Sequence, residues 1–169
     1  MTDLEIPLPT RRSTRQLGQL LAQVLQPRDL VVLSGNLGAG KTFLVRALAR
    51  ALGLPAEERV TSPTFALVQE LETTPRLVHA DLYRLTAPEQ AIDLGLDAAR
   101  DEGAVVIVEW GARFVETLGG DALLLDITLD PRCVRVSATG ATSAERERAI
   151  SQRLPRFMPG QPQPPTRPQ

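Results

Sequence analysis

The sequence of 169 residues predicts a single α/β domain of three layers, in which helices cover both faces of a mixed β-sheet. Residues 30–52 contain an apolar run, a glycine-rich loop and a helical stretch. Residues 104–110 are almost continuously apolar, as the strands of parallel sheets are. Residues 66–82 and 122–138 each contain two strand-like runs about a short turn, which predicts antiparallel hairpins. The sheet is therefore expected to be parallel around the loop and antiparallel at the hairpins.

Helices are predicted where apolar residues recur on one helical face. Ser13 and Gln16 form a capping box ahead of leucines with that spacing, and Pro27 ends the helix. Pro88 occupies a favourable first position for a short helix over 88–96. Two further helices are predicted over 113–118 and 143–154, and we expect residues 1–154 to form the domain and the proline-rich residues 155–169 to form a disordered tail.

The glycine-rich loop, residues 35–42, fills the phosphate-loop pattern G-x-x-x-x-G-K-[ST] without a substitution. A strand over 30–33 precedes it and a helix over 43–52 follows it, as the motif requires, so a chance match in an ordinary turn is disfavoured. The glycines allow backbone N–H groups to point inward, and the helix N-terminus adds partial positive charge. The sequence therefore predicts a P-loop NTPase-like fold. The predicted phosphate-binding residues are Gly35, Asn36, Leu37, Gly38, Ala39, Gly40, Lys41 and Thr42.

Lys41 and Thr42 are the side chains of this loop that carry chemistry. Lys41 is expected to reach the β- and γ-phosphates of a nucleotide, and the Thr42 hydroxyl to bind Mg²⁺. Of the 19 Lys and Arg residues in the chain, only Lys41 is a lysine. A slim ammonium fits between phosphates where a planar guanidinium does not, so this position favours lysine. The predicted cofactors are ATP and Mg²⁺.

Two carboxylates at strand ends are candidates for the metal and the attacking water. Glu109 follows the apolar strand, where a carboxylate ligand of magnesium is expected, although charged residues also mark strand ends exposed to solvent. Asp81 lies near the end of the strand over 76–82, where an exposed face would also bring it together with His79 and Tyr83. The sequence leaves open which acid contacts magnesium directly.

Residues 61–64, Thr-Ser-Pro-Thr, form a hydroxyl-rich segment stiffened by proline. In phosphate-loop proteins the connection after the loop helix often lies over the γ-phosphate, where Thr64 could report its presence. An ordinary turn at Ser62 and Pro63 explains the same residues equally well. Both interpretations stay open from the residues alone.

Composition excludes several classes of function. The formal net charge of −1 and a pI near 5.9 give no basic field for nucleic acid, so any RNA is expected to be held by another protein. The single Cys133 excludes an internal disulfide and a cysteine zinc cluster, and the single His79 excludes a multi-histidine metal site. The sequence has neither a membrane-spanning run nor an export signal, which predicts a cytoplasmic protein.

Four motifs in this order resemble the TsaE (YjeE) family, the small ATPase of bacterial tRNA threonylcarbamoyladenosine biosynthesis. They are the phosphate loop, Ser-Pro-Thr-Phe at 62–65, His-x-Asp-x-Tyr-Arg-Leu at 79–85 and Glu-Trp at 109–110. The loop alone is shared by many families, whereas the other three motifs together are specific to few. The resemblance runs from about Thr14 to Val136.

The resemblance implies an ATPase that works with a TsaD-like transferase and a TsaB-like partner, with tRNA contacted through that complex. Its motifs imply that Lys41 and Thr42 bind phosphate and magnesium, and that Glu109 and Asp81 serve the metal and the water. They also place Thr64 in a switch-like segment and Trp110 near the nucleotide. Family members commonly follow Glu-Trp with Pro-Glu, whereas this chain has Gly111 and Ala112, so the role of that second acid is absent here or supplied elsewhere.

Competing functions differ in what the sequence must contain. A GTPase needs an Asn- or Thr-Lys-x-Asp guanine clamp, which a chain whose only lysine is Lys41 cannot form. A small-molecule kinase shares the loop and the magnesium carboxylate but usually adds an arginine-rich lid, and no such segment stands out. A nucleotide-gated binding module with little turnover differs from an ATPase only in rate. The sequence does not separate the binding module from the ATPase.

Overall fold

A computed structural model describes residues 4–159 as one seven-stranded mixed sheet with helices on both faces. The strands are β1 (Leu4–Pro7), β2 (Leu30–Gly35), β3 (Val68–Leu71), β4 (Leu77–Asp81), β5 (Val105–Glu109), β6 (Leu123–Leu129) and β7 (Arg132–Ala138). The helices are α1 (Arg11–Val24), α2 (Lys41–Ala51), α3 (Pro88–Ile92), α4 (Leu96–Asp101) and α5 (Ala141–Phe157), with a 3-10 turn at Ala112–Phe114.

The sheet has the spatial order β1-β7-β6-β2-β5-β4-β3, with β2, the strand that leads into the phosphate loop, at its centre. Strand β2 pairs parallel with β5 and β6, and β5 pairs parallel with β4. The pairs β3–β4 and β6–β7 are antiparallel hairpins, and β1 pairs antiparallel with β7. The predicted mixed sheet, parallel around the loop and antiparallel at the hairpins, is confirmed.

Alternate side chains of β2 enter two separate cores, which makes the domain three-layered. Val31 and Leu33 belong to the core that packs under α1, α2 and α5. Leu30 and Val32 belong to the opposite core, with residues of α3, α4 and the 3-10 turn. Because both faces of such a strand are buried, nearly all of its residues are apolar, as in β2 and β5.

The N-terminal region differs from the prediction in two ways. Helix α1 is capped by Thr10 rather than Ser13: the Thr10 hydroxyl accepts a hydrogen bond from Ser13 N at 3.1 Å, and Ser13 Oγ accepts one from Thr10 N at 3.0 Å. Ser13 is therefore the third helical residue of the capping box, not its cap. The short strand β1 was not predicted, because four residues ending at a proline carry little signal and its partner β7 is distant in sequence.

Three helix predictions also need correction. The helix expected over 88–96 ends at Ile92, and Gly95, with a φ of 68°, begins a separate helix α4. The helix expected over 113–118 is a 3-10 turn with non-helical turns after it. Helix α5 continues through Pro155 to Phe157 instead of ending at Leu154, because Met158 and Leu154 are buried against the core. Residues 155–157 of the tail predicted over 155–169 therefore belong to α5, and the part of that tail from residue 160 on lies outside the described residues.

None of the helices within residues 4–159 is long and apolar enough to cross a membrane.

Candidate nucleotide site

The phosphate loop and both candidate carboxylates meet at one edge of the sheet. Parallel pairing sets Leu33, near the end of β2, beside Glu109, the last residue of β5. The same ladder sets Glu109 beside Asp81, the last residue of β4. A cleft of ≈ 470 Å³ lies at this edge. Its lining comprises Leu37, Gly38, Gly40, Lys41, Thr42, Phe43, Ser62, Thr64, Asp81, Tyr83, Glu109 and Trp110.

The loop backbone depends on glycine at three positions. Gly35, Gly38 and Gly40 have φ values of 135°, 79° and 99°, in the region that side chains disfavour. A Cβ on Gly35 would also lie 2.5 Å from the Ile127 carbonyl oxygen. Gly40 is the N-cap of α2 and provides no side chain to bond the first helical N–H groups. Those N–H groups are therefore suited to an anion.

The ammonium of Lys41 is folded across the loop. Its Nζ donates hydrogen bonds to the carbonyl oxygens of Gly35 at 2.8 Å and Asn36 at 3.0 Å, and lies 4.3 Å from the centroid of the Trp110 ring. Burial lowers the pKa of Lys41, and the negative charges of Glu109 and Asp81 offset part of that effect. A cation held by carbonyl oxygens at a helix N-terminus is positioned to exchange them for phosphate oxygens.

Glu109 is the buried centre of a three-residue hydrogen-bond group. Its Oε1 accepts a hydrogen bond from the Thr42 hydroxyl at 2.8 Å, and the same oxygen lies 2.9 Å from His79 Nε2. Glu109 is 3% exposed and His79 is fully buried. The two side chains predicted to bind the metal are the Thr42 hydroxyl, in the first turn of α2, and the Glu109 carboxylate, at the end of β5. They are in direct contact.

Asp81 is bonded to the hydroxyl-rich segment instead. Its Oδ2 accepts hydrogen bonds from Ser62 Oγ at 2.7 Å and Thr64 Oγ1 at 3.0 Å, and its Oδ1 accepts one from the Tyr83 backbone N–H at 2.9 Å. Asp81 is 3% exposed, so the segment 61–64 is held against a buried charge. This contact explains why the segment is rich in hydroxyls.

Trp110 covers the loop from the end of β5. It has a φ of 60°, a conformation that is strained for a bulky residue, and strain of this kind is concentrated at functional sites. Its ring packs on Tyr83 at a centroid distance of 5.1 Å. The next residue, Gly111, has no space for a side chain, since a Cβ there would lie 2.6 Å from Val108 Cγ1.

The acid that the resemblance implies after Glu-Trp has no counterpart at residue 112. Ala112 occupies that position and lines a neighbouring cleft of ≈ 560 Å³. Asp126 of β6 is the carboxylate that lines this second cleft. The carboxylates of the first cleft are Asp81 and Glu109.

Sequence reasoning missed Arg132 entirely. Its guanidinium lies so close to the loop that a Cβ on Gly40 would be 2.7 Å from Arg132 Nη2, and the same nitrogen is 3.5 Å from the Thr14 hydroxyl. An arginine is the commonest cation of this chain, and Arg132 begins a strand almost a hundred residues after the loop. Nothing in the sequence distinguished it, whereas Ser62 belongs to the hydroxyl-rich segment that the sequence analysis singled out.

The donor set fits magnesium only in the company of a nucleotide. Thr42, Asp81 and Glu109 offer hydroxyl and carboxylate oxygens, which Mg²⁺ prefers. Within residues 4–159 no group of three or more His, Cys, Asp and Glu side chains could hold a metal ion by themselves. Mg²⁺ typically binds one or two protein oxygens together with substrate phosphates, and the Thr42 hydroxyl and the Glu109 carboxylate are oxygens of that kind beside the loop.

The fold is of the P-loop NTPase-like class, which together with the site suggests a nucleotide-binding protein. The likeness extends to the crystal structure of YdiB from Bacillus subtilis, with a TM-score of 0.71, 26% sequence identity and coverage of 89% of this chain and 95% of that one.

The sequence places the chain within one family of this class. The model of the threonylcarbamoyl adenosine biosynthesis protein TsaE matches residues 8–136. The tRNA threonylcarbamoyladenosine biosynthesis protein TsaE of Streptomyces coelicolor is 46% identical over 117 residues, covering 67% of this chain and 77% of the relative. The protein of the same name from Mycobacterium bovis is 40% identical over 142 residues, covering 77% and 78%. The chain belongs to the TsaE family, and its role is in tRNA threonylcarbamoyladenosine biosynthesis.

Proposed function

We propose that this chain is a magnesium-dependent ATPase that couples ATP hydrolysis to turnover of a TsaD/TsaB-type transferase complex. The observation that carries the proposal is the convergence of Lys41, Thr42, Asp81 and Glu109 on one cleft. These are the groups that a phosphoryl-transfer site requires: a cation for the phosphates, oxygen ligands for magnesium and a carboxylate for the water.

The contacts of the two acids support different roles for them. Glu109 shares a hydrogen bond with Thr42, so we assign these two side chains to magnesium. Asp81 holds Ser62 and Thr64, so we assign it to the segment that covers the γ-phosphate and to the attacking water. Magnesium held by Thr42 and Glu109 would offset the negative charge of the nucleotide phosphates. Lys41 leaves the loop carbonyls to bind the same phosphates, and Trp110 covers them.

ATP is the nucleotide that the residues favour. Recognition of guanine by the usual clamp needs a second lysine, and the chain has none. Arg132, beside Gly40 and Thr14, adds a cation on the far side of the loop from the carboxylates. We propose that it contributes to nucleotide binding together with the loop.

The partners proposed for this ATPase are a TsaD-like transferase and a TsaB-like companion in the cytoplasm. A chain with a formal net charge of −1 has little attraction of its own for tRNA. We therefore propose that tRNA is held by the complex and that this chain responds to it indirectly.

Phosphate release from ATP tests the proposal, measured for the purified chain alone and then with its transferase partners and tRNA. We expect slow hydrolysis alone and stimulation in the complete mixture. Transfer of the γ-phosphate to a small acceptor instead of water would support a kinase.

A nucleotide-gated binding module is a second candidate, and the bonds of Asp81 favour it. Two hydroxyls of the segment 61–64 are bonded to Asp81 in the same cleft as the loop, and such contacts suit a segment that changes partners when a ligand binds. Nucleotide-dependent association with the partners, in the absence of hydrolysis under every condition, would favour this function over the ATPase.

A further inference from the structure

His79 is a buried side chain to which the nucleotide site gives no role. It is the only histidine of the chain and is fully buried in β4, two residues before Asp81 on the same face of the sheet. Its Nε2 lies 2.9 Å from Glu109 Oε1. Its Nδ1 is buried without a hydrogen-bond partner. Among residues 4–159, the one polar partner of this imidazole is therefore Glu109.

The contact fixes the position of the imidazole proton. A carboxylate oxygen only accepts hydrogen bonds, so Nε2 must carry the proton that it shares with Glu109 Oε1. Nδ1 is then a bare acceptor. A proton on Nδ1 would instead leave an unpaired N–H donor in the core.

Histidine is a costly choice for this position unless the contact with Glu109 matters. Its neighbours on the same face, Leu77 in β4 and Ile107 across the β5 pairing, are buried aliphatic residues. A leucine at residue 79 would fill the core without leaving a polar atom unpaired, which is the cheaper arrangement.

Two donors on one oxygen hold the Glu109 carboxylate in a single orientation. Thr42 and His79 both bond Oε1, and no donor of residues 4–159 is bonded to Oε2. Carboxylates that bind metals are commonly oriented by such partners, whose removal costs tenfold to a hundredfold in metal affinity or activity.

We propose that His79 is a positioning residue: its Nε2–H orients Glu109 so that the second carboxylate oxygen is available to magnesium. The proposal rests on the proposed magnesium–nucleotide function. It concerns a residue that does not itself contact nucleotide, metal or water.

Matched variants separate the effect of the His79 hydrogen bond from the effect of the side-chain volume at this position. His79→Leu removes the donor and keeps the bulk, and His79→Gln restores an N–H near the position of Nε2. Ile107→Val, which alters the same face of the core across the strand pair, is the packing control. If His79→Leu does not fold, His79→Asn replaces it, because its amide is too short to reach Glu109.

Binding of ADP and of a non-hydrolysable ATP analogue is measured by the fluorescence of Trp110, the single tryptophan, with and without Mg²⁺. We expect His79→Leu to bind nucleotide without Mg²⁺ within twofold of the parent, and to need about 10- to 100-fold more Mg²⁺ for the metal effect. The kcat for ATP should fall by a similar factor with little change in KM. His79→Gln should recover most of the loss, and Ile107→Val should match the parent chain.

The tautomer is tested independently by ¹⁵N NMR of the single imidazole, whose signals need no assignment. We expect the proton on Nε2. A proton on Nδ1, or the parent's magnesium dependence in a folded His79→Leu protein, would overturn the proposal. Absence of ATP hydrolysis in the parent would instead contradict the proposed function, and the binding and NMR measurements would still decide the role of His79.

Discussion

Lys41 shows most clearly how one residue is selected by its surroundings. Lys41 is 5% exposed, and its ammonium is bonded to two carbonyl oxygens and lies over the face of Trp110. Burial of the cation costs free energy, as its lowered pKa indicates, and the two nearby carboxylates recover part of it. The chain uses arginine for every other cation, so geometry rather than charge dictates lysine here.

Substitution of Lys41 therefore tests shape as well as charge. We expect Lys41→Ala to abolish ATP hydrolysis, and Lys41→Arg to lose about 10²–10³-fold despite its retained charge, because a planar guanidinium cannot occupy the space between the loop carbonyls. Phosphate release is the measurement, and thermal unfolding by circular dichroism is the control for folding. A folded arginine variant with full activity would show that charge alone suffices.

The sequence predicted those residues of the site that belong to a motif. It did not predict those that only the folded chain places near the loop. Lys41, Thr42, Glu109 and Asp81 were predicted and lie around one cleft. The hydrogen bond of His79 with Glu109 depends on the register of β4 and β5. The position of Arg132 beside the loop depends on a hairpin far along the chain. No local pattern carries that information.

At the scale of elements, the segment 61–64 is coupled to β4 through Asp81. Both hydroxyls that bond Asp81 come from this segment, and Ser62 Oγ and Thr64 Oγ1 are also 3.1 Å apart. If the cleft binds ATP as proposed, a γ-phosphate there would compete for the same hydroxyls. The segment would then have two alternative sets of partners, as a switch requires.

Removal of the Thr64 hydroxyl should affect the switch more than binding. We expect Thr64→Ala to reduce partner-stimulated hydrolysis about tenfold or more while nucleotide affinity changes within about threefold, because the loop still binds the phosphates. Thr64→Ser, which keeps the hydroxyl, is the matched control. Equal losses of stimulated hydrolysis and of affinity in Thr64→Ala would argue against a switch.

The start of α5 depends on an acid from outside the helix. Its N-cap is Gly140, and Asp121 accepts hydrogen bonds from the N–H groups of Thr142 and Ser143, each at 2.9 Å. Burial alone would raise the pKa of Asp121, but the hydrogen bonds from Ser143 and Thr142 outweigh it and lower the pKa to about 2. A depressed pKa stabilises the fold above the unfolded value near 3.8, and this stability is lost as the pH falls toward about 2.

Asp121→Ala should therefore lower stability in a pH-dependent way. Above pH 4 we expect a loss of about 1 kcal/mol, the usual worth of a helix cap, because partial exposure to solvent weakens the bond. The difference from the parent chain should shrink as the pH falls from about 4 toward 2. Urea unfolding over this range measures it, and a constant difference at all pH values would assign the loss to packing instead.

At the scale of the whole molecule, the sequence predicted the elements that repeat a pattern and missed those that depend on distant partners. The two hairpins, the loop strand and the apolar strand β5 lie where alternation and apolar runs placed them. Strand β1 exists because β7 offers an edge, and the end of α5 persists past Leu154 because the core continues there. The local sequence predicts neither the edge of β7 with which β1 pairs nor the core residues against which the end of α5 packs.

The C-terminal end of α5 contributes to this core through Met158, which is 3% exposed. We expect Met158→Ala to lower the free energy of unfolding by about 2 kcal/mol, since a buried side chain is truncated near the end of the core. Ile92→Ala, at a side chain that is 60% exposed, is the control and should change stability by less than about 0.5 kcal/mol. Equal effects of the two in urea unfolding would contradict the packing of Met158.

Magnesium-dependent hydrolysis of ATP at the cleft between the loop and Glu109 is tested most directly by one substitution. Phosphate release from ATP is measured with Mg²⁺ and the transferase partners for the parent chain and for Glu109→Ala, with thermal unfolding confirming that the variant is folded. We expect Glu109→Ala to abolish hydrolysis and to leave the fold intact. Full hydrolysis by a folded Glu109→Ala protein would contradict this expectation.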